Sequence, residues 1–276
     1  MLFDAEPNGL PLILPCKIFK KIKLIKIMSQ TNDYFHLSKV NVLTYILKIR
    51  DYKKILCVFG DSGLAPTLKR FEEQAEEMLY DDIFIYTEHK LDKEFYDYWQ
   101  DKFKLRGFGY WVWKPQVILQ TLEKMQDGDI LQYSDAGCHL NPCGLRKLDE
   151  YFDLTDKSSN GILGFQMFHI EKDWTKGDLF DYFNVREQKD ICDTGQFISG
   201  IIFIKKCKKS IEIIKDWLKV YYNNFSLVDD SPSNSPNFDG FKENRHDQSI
   251  FSILAKINNI AMAQHYKKRM MSPFGH

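Results

Sequence analysis

The stretch Asp129-Ile130-Leu131-Gln132-Tyr133-Ser134-Asp135-Ala136-Gly137 decides how the rest of the chain is read. A mostly apolar run that ends in a carboxylate and two tiny residues is the pattern of a buried strand delivering one acid to the edge of a sheet. Asp127-Gly128 just before it is a turn signal, and Ala136-Gly137 behind it leaves room for a bulky ligand or a close backbone approach. In open α/β sheets ligands bind outside the C-terminal ends of the strands. Ser134 and Asp135 stand there, and a carboxylate in that place can hold a hard divalent cation against a diphosphate. The same acid would equally open a turn or cap the next helix. The strand pattern alone leaves both readings standing.

Working outward, Ile55 to Phe59 reads as a first buried strand closed by Gly60-Asp61-Ser62-Gly63, with helical periodicity over Pro66 to Leu79. Ile83 to Tyr86 is the next strand, Lys93 to Lys102 the next helix, and Pro115 to Met125 the helix that leads into the Ile130 strand. Leu145 to Phe152 and Lys208 to Tyr222 read as helices, Gly161 to Gln166 and Ile198 to Ile204 as strands, and Lys172 to Phe183 as an amphipathic region. Strands alternating with helices predict an α/β fold with a mostly parallel central sheet flanked by helices. No linker marks a split within 51–276, so these residues are expected to form one domain, preceded by an extension over 1–50.

Composition narrows the function classes. The chain has 276 residues, 44% of them hydrophobic, and a formal net charge of zero. That is enough apolar content for a folded core, with no global basic field to attract nucleic acid. Six cysteines at Cys16, Cys57, Cys138, Cys143, Cys192 and Cys207 show no C-x-x-C spacing, which argues against a zinc cluster or a disulfide scaffold. Cys57 inside an apolar run reads as a small hydrophobe, in keeping with a reducing compartment. No Gly-rich loop is followed by Lys and Ser or Thr, which counts against a P-loop enzyme. The aromatic group Tyr110, Trp111 and Trp113 suits core packing or the stacking of a sugar or base.

Near the other end, Asp229 to Gly240 is rich in Ser, Pro, Asn and Asp and reads as a loop, with a lid over the site as the functional expectation. It runs into Glu243-Asn244-Arg245-His246-Asp247-Gln248-Ser249, at the start of the apolar-periodic helix Ile250 to Ile257. A helix N-terminus carries unpaired N–H groups and partial positive charge, so an anion or a capping Asp is stabilised there. Asp247 is therefore a cap or a working carboxylate, and a cap alone needs neither Arg245 nor His246 beside it.

Five segments, in this order and spacing, resemble glycosyltransferases of the GT-A type, the nucleotide-diphosphosugar transferase superfamily: Gly60-Asp61-Ser62; Arg106 to Pro115; Ser134 to Gly137; Thr194 to Gly200; and Arg245 to Ser249. They cover roughly residues 50 to 260 and look most like the bacterial sugar transferases that build capsules or lipopolysaccharide. The resemblance implies a GT-A-like domain that moves a sugar from a UDP- or GDP-sugar donor to a glycan or lipid-linked acceptor. It implies Mn or Mg on the donor diphosphate, with Asp135 as the last acid of the superfamily's Asp-x-Asp motif and His246 as a second metal ligand. Here the motif's first acid is replaced by Tyr133, which weakens a metal site built on Asp135. The resemblance further implies donor contacts from Gly60, Asp61, Ser62, Lys114, Ser134, Asp135, Gly200 and Arg245, and catalytic roles for Asp247 and Gln196. Asp247 matches the family's Asp-Gln pair, as a base or an acceptor of a sugar hydroxyl.

Two rival functions stand beside this one. The first is a metal-dependent nucleotidyl or phosphoryl transferase using Asp135 and Asp247; the second is a carbohydrate-binding module without catalysis. No run is apolar enough to span a bilayer. Lys17, Lys20, Lys21, Lys23 and Lys26 alternate with apolar residues as in a helix lying on an anionic membrane. The expected location is the cytoplasm, with peripheral contact at the inner face of its membrane.

Overall fold

The computed structural model describes residues 50–263. The basic alternating stretch from Lys17 to Ile27 lies outside the described residues. In chain order, β1 (Lys54–Phe59) leads through a 3₁₀ turn into α1 (Ala65–Glu77), then β2 (Asp82–Tyr86), α2 (Lys93–Trp99), α3 (Trp113–Lys124) and β3 (Ile130–Ser134). There follow α4 (Leu145–Asp156), β4 (Ile162–Gly164), β5 (Gln166–Ile170), α5 (Gly177–Tyr182), β6 (Gly195–Phe197), β7 (Ile201–Lys205), α6 (Lys208–Asn223), α7 (Asp247–Ile257) and β8 (Ala261–Met262).

Six strands form the central sheet in the order β2-β1-β3-β7-β4-β8. Pairing is parallel for β1 with β2, β1 with β3 and β4 with β8, while β7 runs antiparallel to both its neighbours. The fold is thus α/β with a mostly parallel sheet. Side chains alternate faces along a strand. Ile55, Cys57, Phe59, Leu131, Tyr133, Ile202 and Ile204 share one core cluster with Val117 and Ile118 of α3, Trp217 of α6 and Phe251 of α7. On the opposite face Phe152 of α4 meets Phe203 edge-on at 5.1 Å. The same period puts Asp135 on the face of Tyr133, towards α3.

The strand expected over Gly161 to Gln166 breaks in two, and the one expected over Ile198 to Ile204 begins only at Ile201. Between β4 and β5 the chain leaves the central sheet at Phe165, whose carbonyl accepts from the Ile198 N–H at 3.0 Å, and β5 pairs with β6 in a separate two-stranded sheet. Gly164 permits this crossing, since a Cβ there would lie 2.8 Å from the Phe197 ring. Helix α3 starts two residues ahead of Pro115, because proline is tolerated throughout the first turn.

The segment before α3 has an unusual backbone. Gly107 (φ 61°), Phe108 (54°), Gly109 (84°), Tyr110 (51°) and Trp111 (60°) are all left-handed. Each non-glycine in that region costs on the order of 1–2 kcal/mol, so neighbours must hold it. Phe108 stacks on Phe103 at 4.2 Å, Trp113 Nε1 donates to the Gly107 carbonyl at 3.0 Å, and Tyr221 Oη donates to the Tyr110 carbonyl at 2.7 Å.

Asp229 to Gly240 contains neither helix nor strand. It is nevertheless tied down: the Asp178 carboxylate accepts from the N–H groups of Asn234 (2.9 Å) and Ser235 (2.7 Å), and Asn237 Oδ1 accepts from Gly177 N–H at 2.7 Å. The N–H groups of Asn234 and Ser235 are thus spent on the first turn of α5. Among the described residues no helix is long and apolar enough to cross a membrane.

Candidate functional site

A cavity of about 390 Å³ opens where β3, β6, β7, α3 and α7 converge. It is lined by Asp135 from the β3 exit, Lys114 from α3, Ser199 and Gly200 from the β6–β7 turn, and Asp247 and Gln248 from α7. Arg106, Trp111, Arg245 and His246 also line it.

Lys114 sits in the first turn of α3 with its side chain only 2% exposed, so its ammonium must be matched locally. Nζ donates to Asp247 Oδ2 at 2.6 Å and to Ser199 Oγ at 3.2 Å, and lies 3.2 Å from Asp135 Oδ1. Burial pulls the ammonium's pKa down, but Asp135 and Asp247 more than offset this and hold it above the ordinary lysine value. Ser199 Oγ donates to the same Asp247 oxygen at 2.7 Å. Among the described residues these bonds all fall on Oδ2, so Oδ1 is left for a ligand.

Asp247 does not cap its helix. His246 holds the N-cap position, with φ 52° and ψ −117° and no side-chain cap bond. That strained residue turns the Asp247 carboxylate towards α3 instead of back along its own helix.

Asp135 is held from both sides. Tyr133 Oη donates to Oδ1 at 2.6 Å, and the Asp135 N–H donates to the Gly200 carbonyl at 2.9 Å, continuing the β3–β7 ladder by one step. Burial first, and then Asp135, raises the Tyr133 phenol well above its ordinary range, so it remains a proton donor. A Cβ on Gly200 would stand 2.8 Å from Asp135 Oδ2. Glycine there keeps the carboxylate in place and the wall low.

Gln196 lines the cavity but is fully buried, and its amide is engaged. Nε2 donates to Glu171 Oε1 at 2.9 Å and to Thr175 Oγ1 at 2.9 Å, while Oε1 accepts from Gln248 Nε2 at 2.8 Å. A carboxylate only accepts, so Glu171 sets which way the Gln196 amide points, and Gln196 in turn orients Gln248. Glu171 itself is fully buried against Lys256 at 2.7 Å and Ser252. Nothing in Ile170-Glu171-Lys172 distinguishes this acid from an ordinary surface charge.

The aromatic group divides between its two expected uses. Tyr110 and Trp113 are buried, whereas Trp111 is half-buried, lines the cavity and stacks on His246 at 5.5 Å. His246 Nδ1 lies 2.6 Å from the Val228 carbonyl, to which it donates, and Nε2 faces Asp230 at 3.6 Å. Burial lowers its pKa below 6.5. The Arg245 guanidinium sits over the Trp174 ring at 4.4 Å and pairs with Glu243 at 3.0 Å; Arg106 faces Asp230 at 3.6 Å. These arginine pairs are half-exposed and therefore weak, leaving both guanidinium groups able to turn to an anion in the cavity. Arg106 and Ser199 are cavity residues beyond those expected from the sequence, although both stand inside segments quoted for it.

The β1 exit behaves differently. Asp61 accepts from Gly63 N–H at 2.9 Å and caps the 3₁₀ turn, and Ser62 N–H donates to Glu88 at 3.1 Å. Gly60 allows close packing on α1, because a Cβ there would meet Leu68 at 3.0 Å. Ser134 is buried and accepts from Gln132 Nε2 at 2.9 Å. None of these four lines the cavity.

The expected divalent ion can be tested against the donors present. Two residues before Asp135 stands Tyr133 and two after stands Gly137, so neither side supplies a second acid. His246 directs both ring nitrogens at the 228–230 segment. Among the described residues there is no group of three or more His, Cys, Asp or Glu side chains able to hold a metal. The residues do not fit a metal as arranged.

No protein-family model and no curated protein matches the chain. Among solved structures it is similar to the glycosyltransferase GlyE of Streptococcus pneumoniae TIGR4, with a TM-score of 0.41 and 12% identity over 79% of this chain and 47% of that one. It is similar to mouse xyloside xylosyltransferase 1 in its apo form, with a TM-score of 0.40 and 12% identity over 77% of this chain and 84% of that one. It is also similar to the galactosyltransferase LgtC in complex with donor and acceptor sugar analogs, with a TM-score of 0.39 and 14% identity over 79% and 78%. The chain spans about half the length of GlyE. Likeness this distant transfers no substrate, metal or residue role.

Proposed function

We propose that the chain is a glycosyltransferase that moves a sugar from a nucleotide-diphosphate donor to a hydroxyl of a glycan or lipid-linked acceptor, as in the synthesis of bacterial surface polysaccharide. The observation that carries this reading is the convergence of Asp135, Lys114, Gly200 and Asp247 on one cavity at the C-terminal end of β3. Glycosyl transfer breaks the bond from the anomeric carbon to the diphosphate oxygen and forms one to the acceptor oxygen, whose proton passes to the released diphosphate, so charge grows on the leaving phosphate before that proton arrives. Arg106 and Arg245 at the rim and Lys114 on the floor stabilise that charge where it develops. Gly200 lets the sugar ring pass close to the sheet edge, and Trp111 offers a flat wall for stacking. Asp247, held through Oδ2, presents Oδ1 to a sugar hydroxyl and orients it for the displacement. The 51–276 stretch is the catalytic domain in this reading.

The test is release of nucleoside diphosphate from a panel of UDP- and GDP-sugars, run beside nucleoside triphosphates and an Asp247→Asn variant. We expect turnover of a nucleotide sugar, falling by about 100-fold in the variant, the usual cost of losing a positioning contact. Triphosphate turnover in its place would favour a nucleotidyl or phosphoryl transferase; binding without turnover would favour a carbohydrate-binding module.

A further inference from the structure

We infer that this site holds a nucleoside diphosphate without a divalent metal, with the Lys114 ammonium built in as a permanent cation between Asp135 and Asp247. The inference rests on the nucleotide-sugar reading above and concerns how that site manages charge. Its starting point is the mismatch between the donor set and any divalent ion.

Three features of the chain make the substitution coherent. The ammonium occupies the space between the two carboxylates, 2.6 Å from one and 3.2 Å from the other, so an ion placed between them would have to expel it. Lys114 belongs to the first turn of α3, whose buried Val117 and Ile118 anchor the helix in the core, so the charge stands on a rigid element. The end of the helix adds partial positive charge in the same direction. Finally, Tyr133, two residues before Asp135, meets that acid as a proton donor and not as a second carboxylate. A second carboxylate there would raise the negative charge and call for a dication; a phenol does not.

A single ammonium already shared by two carboxylates does not neutralise a diphosphate. The remaining positive charge comes from Arg106 and Arg245, whose partners Asp230 and Glu243 are about half exposed and can be exchanged for phosphate oxygens. The division of labour is then a buried lysine that organises the acids and two rim arginines that meet the phosphates. Planar guanidinium groups can grip a phosphate with two parallel bonds, which a lysine cannot do.

The experiment is isothermal titration of the full chain with UDP and with GDP, once in Mn²⁺ and once in EDTA. It is paired with electron paramagnetic resonance of free Mn²⁺ titrated with the protein. We expect the Kd of the preferred nucleotide to agree within about twofold in the two buffers, and the free-Mn²⁺ signal to be unaffected by protein. Arg245→Ala should weaken binding by about tenfold or more in EDTA. Binding that appears only with Mn²⁺, or Mn²⁺ captured by the protein, overturns the inference and leaves the transferase reading intact. Failure of both nucleotides to bind in either buffer overturns that reading and the inference with it. Wild-type protein decides each case, so nothing hangs on the folding of a variant.

Discussion

Strands β1 and β3 lie side by side in parallel, so they deliver their ends to the same edge of the sheet, and each is followed by an acid among small residues: Gly60-Asp61-Ser62 after one, Ser134-Asp135-Ala136 after the other. One acid ends as a turn cap and the other as part of the cavity. Asp61 finds a backbone N–H two residues on and is spent within its own turn. The Asp135 carboxylate has its bonds with Tyr133 and Lys114, the latter from a different element. Local satisfaction removes a polar group from chemistry, and a partner distant in sequence keeps it in the site. The two exits therefore respond differently to substitution.

The largest effect falls on the cation that separates them. Replacing Lys114 with Met leaves Asp135 and Asp247 facing each other without compensation, and breaking a buried pair in this way costs roughly 3–5 kcal/mol. Urea denaturation should show that loss; a change under about 1 kcal/mol would mean that the pair is open to water. Gly200→Ala comes next and separates site from fold. The added methyl meets only the movable Asp135 carboxylate, so stability should change by less than about 1 kcal/mol while nucleotide affinity falls by about tenfold. Equal losses in both would show that Gly200 serves packing alone.

On the other exit, Asp61→Ala removes a cap worth about 1 kcal/mol and should leave nucleotide affinity unchanged. Weaker binding by this variant would return the β1 exit to the donor site and break the contrast. The smallest effect is acid sensitivity. Burial holds His246 below its ordinary value of 6.5, so the unfolded chain takes up that proton first. The neutral ring contributes stability above pH 6.5, and this is lost as the pH falls through the lowered native value. His169, lowered by burial and by Arg245 and Lys242, acts in the same direction. His246→Gln should flatten, without abolishing, the decline in stability below pH 6.5; an unchanged slope would place the titrating groups elsewhere.

Much of the architecture was legible because it rests on period and punctuation. Cys57 and Tyr133 alternate correctly with their neighbours, and Gly60 and Gly128 mark real turns. The seam between β4 and β5 was not, because Ile162 to Ile170 stays largely apolar while the chain changes sheets, and only Gly164 hints at the close crossing. Within the site, Asp135, Lys114, Gly200, Arg245, His246 and Asp247 line one cavity. What the motifs could not convey was pairing. That Lys114 would stand between the acids, and that Gln196 would be consumed by Glu171 and Gln248, depends on side chains brought together from elements far apart in the chain. The left-handed run from Gly107 to Trp111 was equally hidden, since only its two glycines favour that conformation.

A crystal structure of the protein soaked with a UDP- or GDP-sugar that it turns over decides whether the cavity between β3 and α7 is where a nucleotide sugar is bound and cleaved. The diphosphate should lie against Arg106 and Arg245, the sugar over Gly200, and a sugar hydroxyl on Asp247 Oδ1. A donor bound at the β1 exit around Asp61, or anywhere else away from Lys114 and Asp247, would contradict that placement.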